Sequence, residues 1–140
     1  MLNNSKIDIF EENINKSQTG SFEATDDELC AGKAPLVRLY TTSTCGRCKI
    51  TDEIFQNATG EFAKNGKIDA AHWNLDIGDN MLTAEIEKGV PKNEVALFKK
   101  YSPRMLVPAT IIACKYKKIG ALDSSDEDTI KLLIKGILGE

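Results

Sequence analysis

The chain has 140 residues, which is enough for one domain with a buried core or for one domain with an extension. Apolar residues make up 41% of the chain, charged residues 28%, and the formal net charge is −3. This balance is ordinary for a globular protein and argues against nucleic-acid binding, which usually goes with a basic surface. No apolar run approaches the roughly 18 residues that a membrane-spanning helix needs. The first 30 residues contain no apolar core of a secretory signal peptide. We therefore expect no membrane span and favour a cytoplasmic location, with an extracytoplasmic one expected if the chain is a processed form.

The N-terminal residues 1–34 are polar and mixed, and they are predicted to form an extension that is partly mobile or contains one short helix. Ile7, Phe10 and Ile14 would share one face of that helix. Cys30 lies in the same stretch and is predicted to be a free thiol at or near the surface, with a role as an extra resolving thiol as the alternative.

A strand, a helix and a second strand are predicted next. Residues 36–42 are rich in apolar and β-branched side chains, as a buried strand is. Ser43 and Thr44 follow with hydroxyls suited to cap a helix, and apolar residues over 50–62 recur at helical spacing. Residues 67–77 are predicted to form the second strand, which a crossover helix makes parallel to the first.

The second half of the chain is predicted to be helix, two strands and helix. Residues 81–101 are predicted to be helical with a break near Gly89-Val90-Pro91, and residues 77–99 within this region to be an inserted helical segment. A third strand is predicted over 109–114 and a fourth over 119–122, with a turn or strand edge between them. Asp123 to Asp126 should cap a last helix. The order predicts an α/β domain with a mixed central sheet of about four strands flanked by helices.

The motif Cys45-Gly46-Arg47-Cys48 lies where the first predicted strand ends and the first helix begins. Its spacing puts both thiols on the first helical turn, close enough to form a disulfide. Unpaired N–H groups and partial positive charge at the helix start, together with Arg47 and Lys49, should lower the pKa of the Cys45 thiol below about 8.5. We expect Cys45 to attack a substrate disulfide and Cys48 to resolve the mixed disulfide.

Other roles for the cysteines stay open. The pair could be a structural disulfide or half of a metal site, but zinc takes four ligands and the motif supplies two. Cys30, Cys114 and His72 are possible further ligands, without paired spacing. Cys114 is otherwise predicted to be a buried thiol of the core, and His72 a residue on a strand face rather than a proton donor.

Several segments in chain order resemble the thioredoxin superfamily. The Cys-x-x-Cys motif between strand and helix is one, and Val107-Pro108 before a predicted strand is another. Asn74-Leu75-Asp76 ends the second strand much as thioredoxins end theirs. Lys100 to Pro108 resembles the thioredoxin run into its cis-proline, and Ile119-Gly120-Ala121-Leu122 resembles the stretch before its last helix. The resemblance covers about residues 35–140, so we expect a thioredoxin-like domain there, preceded by the extension.

The resemblance implies a thiol–disulfide oxidoreductase that exchanges its Cys pair with protein or small disulfide substrates. It implies no bound cofactor, an external electron donor or acceptor, and a monomer. It also implies that Val107–Pro108 is cis, that the backbone of Val107 contacts the bound substrate, and that Gly120 lines the same groove. Gly89-Val90-Pro91 is a rival position for the cis-proline, but the residues after it suit a helix better than a strand.

The sequence also departs from thioredoxins at three positions. Thr44 stands where they have Trp, Arg47 where they have Pro, and Leu39 where they have a buried acid. We expect Thr44, Gly46 and Arg47 to tune the reactivity of the pair. The alternative functions are a non-catalytic module that binds a partner through the same groove, and a metal-carrying Cys-x-x-Cys protein.

Overall fold

The computed structural model describes residues 19–140, and the helix predicted around Ile7 to Ile14 lies outside this range. In chain order its elements are β1 (Glu23–Ala24), β2 (Leu36–Thr41), α1 (Cys48–Lys64), β3 (Asp69–Asn74), β4 (Asp79–Asn80), α2 (Lys92–Tyr101), β5 (Ala109–Ile112), β6 (Tyr116–Ile119) and α3 (Ser124–Leu138). None of the helices in this part of the chain is both long and apolar enough to cross a membrane.

The strands form one mixed sheet in the order β1-β6-β5-β2-β3-β4. β2 and β3 run parallel because α1 crosses over between them, and every other neighbouring pair is antiparallel. The predicted α/β class and mixed sheet are confirmed. The prediction of about four strands is wrong, because the described residues form six. The two extra strands, β1 and β4, have two residues each and are too short to show a side-chain alternation in the sequence.

Apolar side chains fill both sides of the sheet. Leu39 and Tyr40 are neighbours in β2 and are fully buried, but they point to opposite faces as strand geometry requires. Leu39 belongs to the cluster under α1 and α3, which includes Phe55 and Ile130. Tyr40 belongs to the cluster under α2, which includes Phe98. The two clusters pack on the two faces of β2, and the C-terminal end of this strand leads into the Cys-x-x-Cys loop.

The last helix begins where the sequence predicts it. The Asp123 side chain accepts a hydrogen bond from the Ser125 N–H at 2.9 Å, and the Asp126 side chain accepts one from the Asp123 N–H at 2.8 Å. This reciprocal pair satisfies two N–H groups that the helix itself leaves free. Asp126 is 1% exposed, and its second partner is Lys118 of β6 at 2.7 Å, so the cap also ties α3 to the sheet.

Two stretches differ from their predicted structure. The helix predicted over 81–101 is wrong for residues 81–88, which form turns and irregular backbone. The predicted break at Gly89-Val90-Pro91 is confirmed, and α2 begins at Lys92 directly after Pro91. The fourth strand is Tyr116–Ile119 rather than 119–122, because the turn before it comes early, at residues 113–115. In this turn Ala113 and Cys114 adopt positive φ values of 53° and 62°, which the apolar sequence of the strand does not predict.

The predictions of a free Cys30 and a free Cys114 are wrong, because the two residues form a disulfide bond. The Cys30 N–H also donates to the Ala113 carbonyl at 3.0 Å, and the Cys30 carbonyl accepts from the Leu36 N–H at 3.0 Å. Together with the pairing of β1 on β6, these bonds bind residues 23–30 to the edge of the sheet.

Candidate active site

The loop between β2 and α1 carries the Cys-x-x-Cys motif, and its two cysteines are joined in a disulfide. The Cys45 N–H donates to the Thr42 carbonyl and the Cys48 N–H to the Cys45 carbonyl, both at 3.3 Å. These two bonds form consecutive turns that bring the Cα atoms to 5.4 Å. The expected proximity of the two thiols is thus produced by local backbone geometry.

The N-terminus of α1 has no side-chain cap. Arg47 occupies the N-cap position and makes no capping hydrogen bond, and the first turn contains no acidic residue. The expectation that Ser43 or Thr44 caps the helix is wrong, since the helix starts later. Ser43 instead donates its backbone N–H to Asp76 Oδ2 at 3.0 Å. The partial positive charge at the start of α1 therefore has no carboxylate within the first helical turn to offset it.

The two cysteines differ in access. Cys45 is half-buried, whereas Cys48 is 7% exposed. A sulfur atom from another molecule can approach Cys45 from solvent. Cys48 is shielded from solvent, and its sulfur is bonded to that of Cys45. This difference matches the expected roles of an attacking and a resolving thiol.

A shallow groove of about 460 Å³ opens beside Cys45. It contains all the candidate site residues other than Cys48. Its lining consists of Thr42, Thr44, Cys45, Gly46, Arg47, Val107, Pro108, Gly120 and Ala121. The structure thus brings together residues from three distant parts of the chain that the sequence analysis singled out.

The far wall of this groove is the segment that enters β5. The Val107–Pro108 peptide bond is cis, as expected, and Pro91 precedes α2 rather than a strand. The Gly120 N–H donates to the Pro108 carbonyl at 2.8 Å, which holds the two sides of the wall together. Val107 is half-buried at the edge of the groove.

The residues before Val107 present apolar side chains to solvent. Met105 is 57% exposed and Leu106 is 49% exposed. Met105 has a φ of 56°, which residues other than glycine rarely adopt. Ser102 holds this loop, because its hydroxyl oxygen accepts from the Leu106 N–H at 2.9 Å and donates to the Leu106 carbonyl at 2.9 Å.

A buried histidine lies between α1 and the end of β2. The single His72 is 5% exposed; its Nδ1 is 2.9 Å from Asp52 Oδ1 and its Nε2 is 2.7 Å from Thr41 Oγ1. Burial of Asp52 acts to raise its pKa, but hydrogen bonds from His72 and Gln56 outweigh this, so the pKa of Asp52 is lowered. Sequence analysis placed His72 on a strand face and missed this network, since nothing in the spacing of 20 residues links it to Asp52.

The candidate metal ligands do not lie together. Cys30 and Cys114 are bonded to each other, and Cys114 follows the end of β5 that lies away from the Cys-x-x-Cys loop. Over residues 19–140, no three His, Cys, Asp or Glu side chains are grouped as metal ligands would be.

No protein-family model matches the chain, and a search of curated proteins finds no match.

Proposed function

We propose that this protein is a thiol–disulfide oxidoreductase of the thioredoxin-like type. The observation that carries the proposal is the Cys45–Cys48 disulfide at an uncapped helix start, with its more exposed sulfur beside a groove. The cis Val107–Pro108 bond on the opposite wall supports it, since the resemblance implied a cis-proline at this position.

The reaction requires only the cysteine pair. In the reduced protein, the Cys45 thiolate attacks one sulfur of a substrate disulfide, which forms a mixed disulfide and releases the other substrate sulfur as a thiol. Cys48, after losing its proton, attacks the Cys45 sulfur, so the internal disulfide forms and the second substrate thiol leaves. Two electrons and two protons pass from the cysteine pair to the substrate, and the reverse sequence oxidises a dithiol.

The groove residues would hold the substrate chain next to Cys45. We assign the backbone of Val107 to pair with an extended substrate segment, in the manner of an added strand. Gly120 has no side chain to obstruct that segment, and a Cβ built there meets no other atom within 4 Å. Thr44, Gly46 and Arg47 line the same groove around Cys45 and would tune its reactivity.

The electrons come from and go to other molecules. The proposal includes protein or small disulfide substrates, an external donor or acceptor, a monomeric state and no bound cofactor. The direction of electron flow depends on the reduction potential of the Cys45–Cys48 pair. A value near about −270 mV would indicate a reductase, and one near about −120 mV an oxidase or isomerase.

Replacement of each cysteine tests the proposal. Cys45→Ser should abolish the reduction of insulin by a dithiol reagent, because the attacking sulfur is lost. Cys48→Ser should trap a mixed disulfide between Cys45 and the substrate, because the resolving sulfur is lost. The matched control is the double variant Cys30→Ala/Cys114→Ala, which removes two sulfurs outside the groove and should retain the activity under conditions in which circular dichroism shows that it is folded.

Equal activity of the wild-type protein, Cys45→Ser and Cys48→Ser would contradict the proposal. A wild-type protein without a reversible Cys45–Cys48 couple in defined redox buffers would contradict it too. The groove would then have to serve as a non-catalytic binding surface. Zinc or copper retained after purification under reducing conditions, and lost on replacing both cysteines, would indicate a metal carrier instead.

A further inference from the structure

The hydrogen bonds of His72 connect the three elements that hold the redox loop. Thr41 is the last residue of β2, four positions before Cys45, and His72 belongs to β3. Asp52 belongs to α1, which begins at Cys48. The chain Thr41–His72–Asp52 therefore joins the strand that enters the loop to the helix that leaves it.

Asp52 lies one helical turn beyond Cys48. Residues four apart on a helix share a face, with about 5 to 6 Å between their Cβ atoms. Cys48 is buried, and the side chain of Asp52 is 25% exposed, so water screens a charge here less than at the surface. A change in the charge of this network is therefore felt at the cysteine pair.

The sequence of groups Thr–His–Asp also occurs in hydrolytic triads, but here it cannot act as one. The hydroxyl of a triad attacks a substrate and must face it. Thr41 is 2% exposed and lies outside the groove. The Thr41 hydroxyl therefore cannot contact a substrate.

We propose that Asp52 and His72 are positioning residues that set how readily the Cys45–Cys48 pair ionises and takes up electrons. This inference rests on the proposed oxidoreductase function and deepens it. Asp52 carries a negative charge one helical turn beyond Cys48, and this charge opposes a thiolate at the start of α1. The hydrogen bond between His72 Nδ1 and Asp52 Oδ1 holds the carboxylate in this place.

The other side chains hydrogen-bonded to His72 carry no charge. Thr41 bonds it from β2, and Asn80 of β4 accepts a hydrogen bond from its backbone N–H at 3.1 Å. Among the described residues bonded to His72, Asp52 is the ionisable one.

The test measures the reactive thiol in the full chain. The rate of alkylation by iodoacetamide against pH gives its apparent pKa, and equilibration with glutathione gives the stability of the disulfide. Asp52→Asn removes the charge but keeps an oxygen for His72, so the apparent pKa should fall by about half to one unit and the equilibrium should shift about tenfold toward the dithiol. The matched control is Glu53→Gln, which removes an exposed charge from the next residue and should cause less than a third of either change.

His72→Gln separates the charge of Asp52 from the hydrogen bond that positions it. It removes the contact of His72 Nδ1 with Asp52 Oδ1 but leaves Asp52 charged, so it should move the apparent thiol pKa by less than half of the shift in Asp52→Asn. A role in stability alone would not shift the thiol pKa more in Asp52→Asn than in His72→Gln. If thermal unfolding shows that His72→Gln does not fold, the comparison of Asp52→Asn with Glu53→Gln decides alone.

Equal shifts for Asp52→Asn and Glu53→Gln, or no shift in either, would overturn the inference while leaving the oxidoreductase proposal intact. A wild-type protein without a reversible Cys45–Cys48 couple would overturn both. The two failures are distinguishable because the wild-type couple is measured first.

Discussion

Arg38 places a positive charge within the central strand β2, on the face that α2 covers. Its Nε donates to both oxygens of Glu94, at 2.9 and 3.0 Å, and the Tyr40 hydroxyl donates to Glu94 Oε1 at 2.7 Å. Burial and the neighbouring carboxylate raise the pKa of Tyr40, so its hydroxyl stays a donor. Arg38 is 5% exposed and Glu94 is 6% exposed, so each needs the other to remain charged inside the protein.

Glu94→Gln should destabilise the protein by about 3 kcal/mol, because it leaves the buried Arg38 charge with only the exposed Asp69 carboxylate, 3.4 Å from its Nη1, as a counter-charge. Urea unfolding followed by circular dichroism would measure the loss. Glu140→Gln is the control: it breaks an exposed ion pair with Lys67 and should cost less than about 1 kcal/mol.

The double variant Arg38→Met/Glu94→Leu distinguishes the loss of the whole ion pair from the loss of one of its two charges. Because it removes both charges and keeps apolar volume, it should recover most of the stability lost in Glu94→Gln. If Glu94→Gln lowers the free energy of unfolding no more than Glu140→Gln does, the buried Arg38–Glu94 pair does not stabilise the fold more than the exposed pair.

The residues of the redox loop could be located from the sequence because their relation is local. Two residues separate Cys45 from Cys48, and a helix start imposes the rest of the geometry. Arg38–Glu94 and His72–Asp52 could not be located, since each joins side chains that only the packing of a helix on the sheet brings together. A lone Arg in an apolar strand was the available signal for the first of these pairs.

The turn after β3 is built around a close contact between two glycines. Gly78 has a φ of 68°, and a Cβ on it would lie 2.8 Å from the Cα of Gly89. The turn also carries Asp76, whose carboxylate accepts the Ser43 N–H of the redox loop. The segment from 81 to 91 is thus placed by backbone contact rather than by a helix.

Gly78→Ala should destabilise the protein more than Gly66→Ala, and thermal unfolding would measure both. Gly66 has a similar φ of 73° but no atom within 4 Å of a Cβ, so its replacement costs about 1 to 2 kcal/mol of backbone strain alone. Gly78→Ala adds the displacement of Gly89, worth about 1 to 3 kcal/mol. Equal losses in the two variants would mean that residues 88–90 move away freely.

The regular elements could be predicted where their sequence pattern is long. β2, α1 and α3 have enough residues to show apolar spacing, and each lies close to its predicted position. Residues 81–91 have the composition of a helix but are bound by turns, in which Asn80 accepts hydrogen bonds from the backbone of both His72 and Leu82. A turn that is held by one side chain, here Asn80, has no repeating pattern of apolar residues from which the sequence could predict it.

The two disulfides lie at opposite ends of the sheet and have different surroundings. Cys45–Cys48 closes a ring of four residues beside the groove. Cys30–Cys114 joins residues 84 positions apart, and Cys114 is 5% exposed among the apolar residues under α2. Sequence analysis predicted free thiols at Cys30 and Cys114, but the bond between them binds the N-terminal part of the described chain to the sheet.

The Cys30–Cys114 bond should stabilise the oxidised protein far more than the Cys45–Cys48 bond. Closing a loop of 84 residues removes about 4 to 5 kcal/mol of unfolded-chain entropy, whereas closing a ring of four removes about 2 kcal/mol. Chemical unfolding of Cys30→Ala/Cys114→Ala and of Cys45→Ala/Cys48→Ala under oxidising conditions would measure the two losses. If the loss in Cys30→Ala/Cys114→Ala is not the larger, the Cys30–Cys114 bond does not stabilise the protein more than the Cys45–Cys48 bond does. If it is, the Cys45–Cys48 bond can open and close with little effect on stability, because the bond that contributes more to stability lies at the far end of the sheet.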